Sequence, residues 1–245
     1  MSRDQAPSTP QPCCAIEQTE TVENYLKAIF ALSATGETVS TSAIAERLGV
    51  ASASVSAMIG RLRTGGLVEQ VAWGHVRLTA HGQLHARRVV RRHRLVETFL
   101  HRVLGLAWDE IHAEAEVLEH WLSEQLEDRI DAALGFPDRD PHGDPIPAKS
   151  GEHVENEGLL LSSSIPGDRF LVQRVSDRDS AALRRLAELH IWPGVELIVE
   201  HHHSAEPGSM WVRASGQRLL LSATLVGLLR GHVMAAKGAG AGHGR

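Results

Sequence analysis

Apolar residues recur at helical spacing early in the chain. Val22, Leu26, Ile29, Phe30 and Leu32 form one stripe in the segment that starts at Glu17, with the three-to-four-residue period of an amphipathic helix. GETVS (36–40) interrupts the pattern. TSAIAERLGV (41–50) then predicts a short helix ended by Gly49, which can take a left-handed cap at no Cβ cost. In ASASVSAMIGRLRTGGLV (51–68), Val55, Ile59 and Leu62 share one side and Gly65–Gly66 form a stop. VEQVAWGHVRLT (68–79) alternates around Gly74 and predicts a β-hairpin.

Further on, residues 82–104 predict a long helix and 108–134 one or two more. GFPDRDPHGDPIP (135–147) breaks helix repeatedly, because each proline removes a donor and restricts its neighbour. It predicts a rigid, extended connection. LVQRVS, VELIVEHHH and MWVRAS predict strands, with one short helix, SAALRRLAEL (180–189), before the turn-forming IWPG.

These elements divide the chain into a tail (1–16), a first domain (17–80), a helical domain (81–147), a linker (148–160), a small β-rich domain (161–233) and a second tail (234–245). The fold class is mainly α with β. The composition, 42% hydrophobic and 4% aromatic, supports globular cores and excludes a disordered chain. No apolar run approaches the roughly 20 residues of a membrane span, and MSRDQAPSTPQPCC has no signal-peptide pattern. A cytoplasmic protein is expected. Cys13 and Cys14 are adjacent and have no CxxC partner, so neither a zinc ribbon nor a disulfide scaffold follows.

The net charge of −5 conceals local asymmetry. Residues 82–102 hold six arginines and one acid, whereas residues 109–131 hold nine acids and one arginine. An anion-binding part joined to a cation-binding part has this appearance.

Helix, turn, helix and hairpin is the order of a winged helix-turn-helix. The outward face of the second helix is small and hydroxylic: Ser52, Ala53, Ser54, Ser56 and Ala57. Small residues let the helix backbone sit deep in the DNA major groove, where hydroxyls reach phosphates or base edges. Arg61 and Arg63 lie beside it to meet phosphates, and His75 and Arg77 lie at or near the hairpin tip.

The candidate chemistry is in HAEAEVLEH (112–120). His112, Glu116, Glu119 and His120 share one face of a helix, and the preceding helix carries His93 and Glu97 four residues apart. Two helices that present imidazole and carboxylate to each other build metal sites in helical bundles. There is no HExxH motif and no separate nucleophile or base, so a sensor fits better than an enzyme. The three consecutive histidines 201–203 are split between two faces if they lie on a strand.

The order of winged helix, RRHRLVETFL, WDEIHAEAEVLEH and LGFPDRDPHGDPIP resembles the diphtheria toxin repressor family of metal-dependent regulators. The likeness covers residues 19–147, with a weaker match over 160–232 to the SH3-like, FeoA-type domain of longer members. It implies a homodimer that binds a palindromic operator when Mn²⁺ or Fe²⁺ is present. It also implies a primary metal site of Asn24, Glu116, Glu119 and His120. A second site would take His93, Glu97 and His112, completed by Asp177 or Asp179. The iron branch has cysteine at the position of Glu116, so the resemblance points to the manganese branch, as does the preference of hard oxygen and nitrogen donors for Mn²⁺. Metal would select a dimer whose recognition helices stand about 34 Å apart, the spacing of successive major grooves. A metal-dependent nucleic-acid hydrolase and a winged-helix activator responding to an organic effector are the alternatives.

Overall fold

The computed structural model describes residues 16–33, 39–71, 75–150 and 158–234. The predicted tails, apart from Ile16 and Met234, the segment 34–38, the tip of the hairpin with Gly74, and most of the 148–160 linker lie outside them. The chain divides into two compact units, residues 1–91 with 147–152, and residues 92–146 with 153–245.

The first unit opens with α1 (Glu20–Ser33), α2 (Thr41–Leu48) and α3 (Ser52–Thr64). Ser40 caps α2 by accepting the Ala43 N–H, and Gly49 ends it in the left-handed conformation, φ 65°, as the sequence predicts. Strands β1 (Val68–Gln70) and β2 (Val76–Leu78) pair antiparallel, Glu69 opposite Arg77. Val76 and Leu78 turn inward and Arg77 outward, the period of two that the alternation predicts. Val22, Leu26, Ile29, Ile44, Val55, Leu62 and Leu67 fill the core. Helix α4 (Ala80–Arg102) begins in this unit.

The second unit contains the rest of α4, then α5 (Ile111–Leu118), a 3₁₀ turn (Glu119–Trp121) and α6 (Glu124–Ala133). Strands β3 (Leu159–Leu160), β4 (Arg169–Val175), β5 (Glu196–His202), β6 (Met210–Ala214), β7 (Gln217–Leu221) and β8 (Leu229–Val233) follow, with α7 (Ser180–Glu188) and α8 (Ala223–Leu228) between them. The sheet is antiparallel, in the order β3-β8-β4-β5-β6-β7. Strands β4, β5 and β6 and helix α7 agree with the sequence reading. Strands β7 and β8 escape it for physical reasons. Four of the five β7 residues are exposed or half-buried, so no apolar alternation marks it. Gly231 interrupts β8, and a Cβ there would stand 1.9 Å from the Leu171 carbonyl oxygen, so close backbone approach has replaced a side-chain signal.

The helical segment and the sheet share a single core. Val96, Leu100, Trp108, Ile111 and Ala115 pack in one cluster with Leu161, Phe170, Leu183, Leu186 and Leu197.

The Pro-rich segment departs from the extended connection expected of it. It folds back on itself: Arg139 pairs with Pro145, and Asp140 accepts the N–H groups of His142 and Asp144 at 2.9 Å each. Gly143 makes this possible. Its φ is +87°, and a Cβ would lie 1.9 Å from the Gln173 carbonyl oxygen on β4. Only glycine tolerates both conditions without strain. Proline restricted the local backbone as expected, but backbone hydrogen bonds to the Asp140 carboxylate closed the loop.

Candidate metal centre

Helix α4 places His93 and Glu97 one turn apart on the same face, and both are buried. Buried carboxylates and imidazoles require partners, since an isolated charge inside a protein is strongly disfavoured. Helix α5 supplies them. His93 Nε2 faces Glu97 Oε1 at 2.9 Å and His112 Nδ1 at 3.1 Å. His112 Nδ1 also stands 3.1 Å from Glu97 Oε1 and 3.3 Å from Asp177 Oδ2.

The α-helix ends at Leu118, and Glu119 and His120 lie on the tighter 3₁₀ turn. Glu119 is thereby fully buried, with Oε2 against His93 Nδ1 and Oε1 3.4 Å from His120 Nε2. Glu116 is half-buried, 3.5 Å from His112 and 3.9 Å from His93. His93 therefore touches both predicted ligand sets, one through each ring nitrogen. The residues expected to form two adjacent sites thus meet at one imidazole.

Among the described residues, three sets of donor atoms lie within 4.8 Å of one another: His93–Glu97–His112–Asp177, His93–Glu116–Glu119 and Glu97–Asp140–His142. Of the two aspartates considered for the second site, Asp177 stands at His112. Asp179 instead caps α7, where its Oδ1 accepts the Ala182 N–H at 3.0 Å. Asn24 and the buried Glu23 lie on α1, in the first unit. His201, His202 and His203 enter none of the three sets; His201 and His203 lean on Trp211.

Asp140 and His142 were not singled out from the sequence. The signal was a buried role for polar residues inside a Pro/Gly loop, which composition reads as exposed. Arg94 and Arg174 hold this loop: they reach Asp144 at 3.0 and 2.8 Å, and Arg94 also donates to the Pro145 carbonyl.

The electrostatics follow from the crowding. Burial opposes a charge on His112, but the Asp177 and Glu97 carboxylates outweigh it and raise the imidazole to about 9. Burial likewise opposes charge on His142, which Glu97 and Asp140 push up to about 9. Burial acts to raise Glu97, yet the His93 imidazole and neighbouring hydrogen bonds hold it well below the usual carboxylate range. Asp140 moves well above that range through burial and the Glu97 and Asp144 charges.

A pH dependence of the metal-free protein follows from these shifts. His112 and His142, raised from 6.5 to about 9 on folding, contribute stability that is complete below pH 6.5 and lost as pH rises through 9. The raised Asp140 acts in the same direction above its unfolded value. Thermal unfolding in the presence of chelator is expected to show a midpoint that falls between pH 6.5 and 9. A flat profile over that interval contradicts the assignment.

The candidate DNA-reading surface lies in the first unit. Ser52, Ala53, Ser54, Ser56, Ala57 and Arg61 are all exposed on α3, while Val55, Met58, Ile59 and Leu62 face the core. The small-residue face is thus free of core duties. Arg63 bonds Gln70 at 3.3 Å and Arg77 pairs with Glu69 at 2.7 Å, so both are tethered at the hairpin. His75 is half-buried beside it.

Three regions of the chain match known families. Residues 17–76 match the N-terminal DNA binding domain of iron dependent repressors, 79–148 their metal binding and dimerisation domain, and 159–229 the FeoA domain. The iron-dependent repressor IdeR of Mycobacterium leprae is 34% identical over 194 residues, 74% of this chain and 84% of that protein. A manganese-dependent transcriptional repressor solved in complex with manganese is 39% identical, with a TM-score of 0.82 over 87% of this chain and 100% of the other. The manganese regulator SloR is 31% identical, with a TM-score of 0.72 over 87% of this chain and 98% of the other. With all three regions matched in order, and with imidazole and carboxylate clustered on α4 and α5, the chain belongs to the diphtheria toxin repressor (iron-dependent repressor) family of metal-dependent, DNA-binding transcriptional repressors.

Proposed function

We infer that this repressor is activated by Mn²⁺, bound by residues of α4, α5 and the turn after α5, and that the loaded homodimer silences metal-homeostasis genes at a palindromic operator. The observation that carries the reading is the donor set. Glu116, Glu119 and Asp177 with His93, His112 and His120 offer oxygen and nitrogen throughout, and no sulfur stands among these donors. Hard carboxylate oxygen suits Mn²⁺, whereas thiolate and thioether select softer ions. The manganese named for two similar structures supports the same choice. The iron named for the Mycobacterium leprae relative keeps Fe²⁺ as the competing ion.

The donors fit a cation for a physical reason. Glu97 and Glu119 are fully buried carboxylates, and His93 reaches both. When bound, the ion would supply the positive charge that Glu97 otherwise obtains from the raised imidazoles of His112 and His142. His112 must then surrender its proton, because only a neutral imidazole has a lone pair to donate. Exposed Ser52, Ala53, Ser54, Ser56, Ala57 and Arg61 form the DNA-reading face, with His75 beside the hairpin.

Metal and operator are coupled by linkage: whatever factor the ion adds to operator affinity, the operator adds to ion affinity. Mobility shift on a palindromic operator, with Mn²⁺ and Fe²⁺ each titrated against chelator, tests the reading. Operator binding at saturating metal is expected to be tighter with Mn²⁺ than with Fe²⁺, since selectivity at such a site comes from coordination geometry rather than from raw affinity. Equal operator affinity with and without metal would falsify activation, and a preference for Fe²⁺ overturns the manganese assignment.

A further inference from the structure

We propose that the buried cluster Glu97–Asp140–His142 holds a divalent cation of its own, with the Glu97 carboxylate bridging it to the His93–His112–Asp177 group. The proposal rests on the metal-responsive reading of the preceding subsection and adds a site to it.

Glu97 uses its two oxygens differently. Oε1 takes the contacts with His93 and His112, at 2.9 and 3.1 Å. Oε2 is buried and has no hydrogen-bond partner. Opposite it, 3.8 Å away, is His142 Nδ1, also buried and also without a hydrogen-bond partner. Both side chains are fully excluded from solvent. A separation of 3.8 Å is beyond hydrogen-bond range.

The orientation of His142 fixes what its Nδ1 can offer. Nε2 lies 2.9 Å from the Trp108 carbonyl oxygen, which can only accept, so Nε2 carries the hydrogen and donates. In the neutral ring, Nδ1 then presents a lone pair toward Glu97 Oε2. Two buried lone pairs facing each other need a positive charge between them: a proton on Nδ1 supplies it in the metal-free protein, where His142 is raised to about 9, and a divalent cation would take that proton's place. Donors bound about 2.1 Å from one ion stand roughly 3 to 4.2 Å apart, and 3.8 Å falls inside that interval.

Asp140 supplies the third donor. Its Oδ1 is occupied by the N–H groups of His142 and Asp144. Its Oδ2 is 3.7 Å from Arg94 Nε, too long for a hydrogen bond, and remains available as a ligand. Two carboxylate oxygens and one imidazole nitrogen form a hard, borderline set suited to Mn²⁺. The loop's Gly143 and the two arginines on Asp144 hold the donors in place, as supporting residues orient metal ligands elsewhere.

The test is to count Mn²⁺ bound to the metal-stripped full-length protein by equilibrium dialysis with elemental analysis. Two variants are compared with wild type. Asp140→Asn keeps an oxygen to accept both backbone N–H groups and removes the charge. His142→Phe keeps a ring stacked on Trp108, which now lies 5.6 Å away centroid to centroid, and removes the donor nitrogen. Each variant is expected to bind one ion per chain fewer than wild type, at Mn²⁺ concentrations that saturate wild type. Wild type should also show an exchange-coupled Mn²⁺ pair by electron paramagnetic resonance, lost in both variants. Should His142→Phe fail to fold, Asp140→Asn decides alone. An unchanged ion count in Asp140→Asn overturns the added site and leaves a shared proton between His142 and Glu97, with the rest of the centre intact. Absence of Mn²⁺ binding by wild type overturns the metal-responsive reading itself.

Discussion

The Glu119→Gln protein is expected to lose metal-dependent operator binding while keeping its fold. Glu119 is fully buried on the 3₁₀ turn, with one oxygen against His93 and the other 3.4 Å from His120. Glutamine has the same shape and keeps one acceptor oxygen, but it cannot balance the charge of a divalent ion. Loss of an outer partner of a metal ligand typically costs ten- to a hundredfold in metal affinity or activity. Loss of a ligand's charge should reach the upper end of that range, so operator affinity at fixed Mn²⁺ should fall on the order of a hundredfold. The metal-free stability should change little: about 1 kcal/mol corresponds to roughly 2–4 °C in a chain of this size. Mobility shifts with Mn²⁺ and thermal unfolding with chelator separate the two effects. Retained activation removes Glu119 from the centre.

The second large effect is expected at Trp121. Its side chain is 80% exposed, and Val117, Leu118 and Leu126, at 62%, 42% and 49%, accompany it around the end of α5 and the start of α6. Isolated exposed apolar residues are ordinary, but several large ones close together mark a surface that is covered in the working assembly. They lie within the region that matches the metal binding and dimerisation domain. A tryptophan at the centre of such a contact commonly carries 2 kcal/mol or more, roughly thirtyfold in dissociation constant, and a buried charge adds to the loss. Trp121→Glu is therefore expected to sediment as a monomer at concentrations where wild type is dimeric. It should also bind the palindromic operator weakly even with saturating metal, because one recognition helix reads only one half-site. A variant that remains fully dimeric places the interface elsewhere.

Several features of this protein were decided by the order of its residues alone. The periods of 3.6 and 2 dictate α1 to α3 and the β1–β2 hairpin, since a segment with one apolar face has one way to bury it. The same geometry sets His93 above Glu97 on α4 and His112 above Glu116 on α5, because residues four apart share a helix face. The outward face of α3 was also legible: once Val55, Ile59 and Leu62 take the core, Ser52, Ser54, Ser56 and Ala57 are exposed.

Relations between elements were settled only by the tertiary structure. No local period reveals that His93 serves both ligand sets through its two nitrogens, since that depends on how closely α4 and α5 pack. Asp177 and Asp179 are indistinguishable as acids two residues apart, and only the start of α7 assigns the latter to a cap. The Pro-rich segment read as an extended connection because its prolines break helix. Gly143, pressed against the carbonyl of Gln173, lets it fold back instead, and this brings Asp140 and His142 beside Glu97. The stripe on α5 with its partners on α4 was therefore predictable from spacing. The inner face of the same centre depends on a contact forty-five residues away in sequence, between Glu97 and His142, which only packing could create.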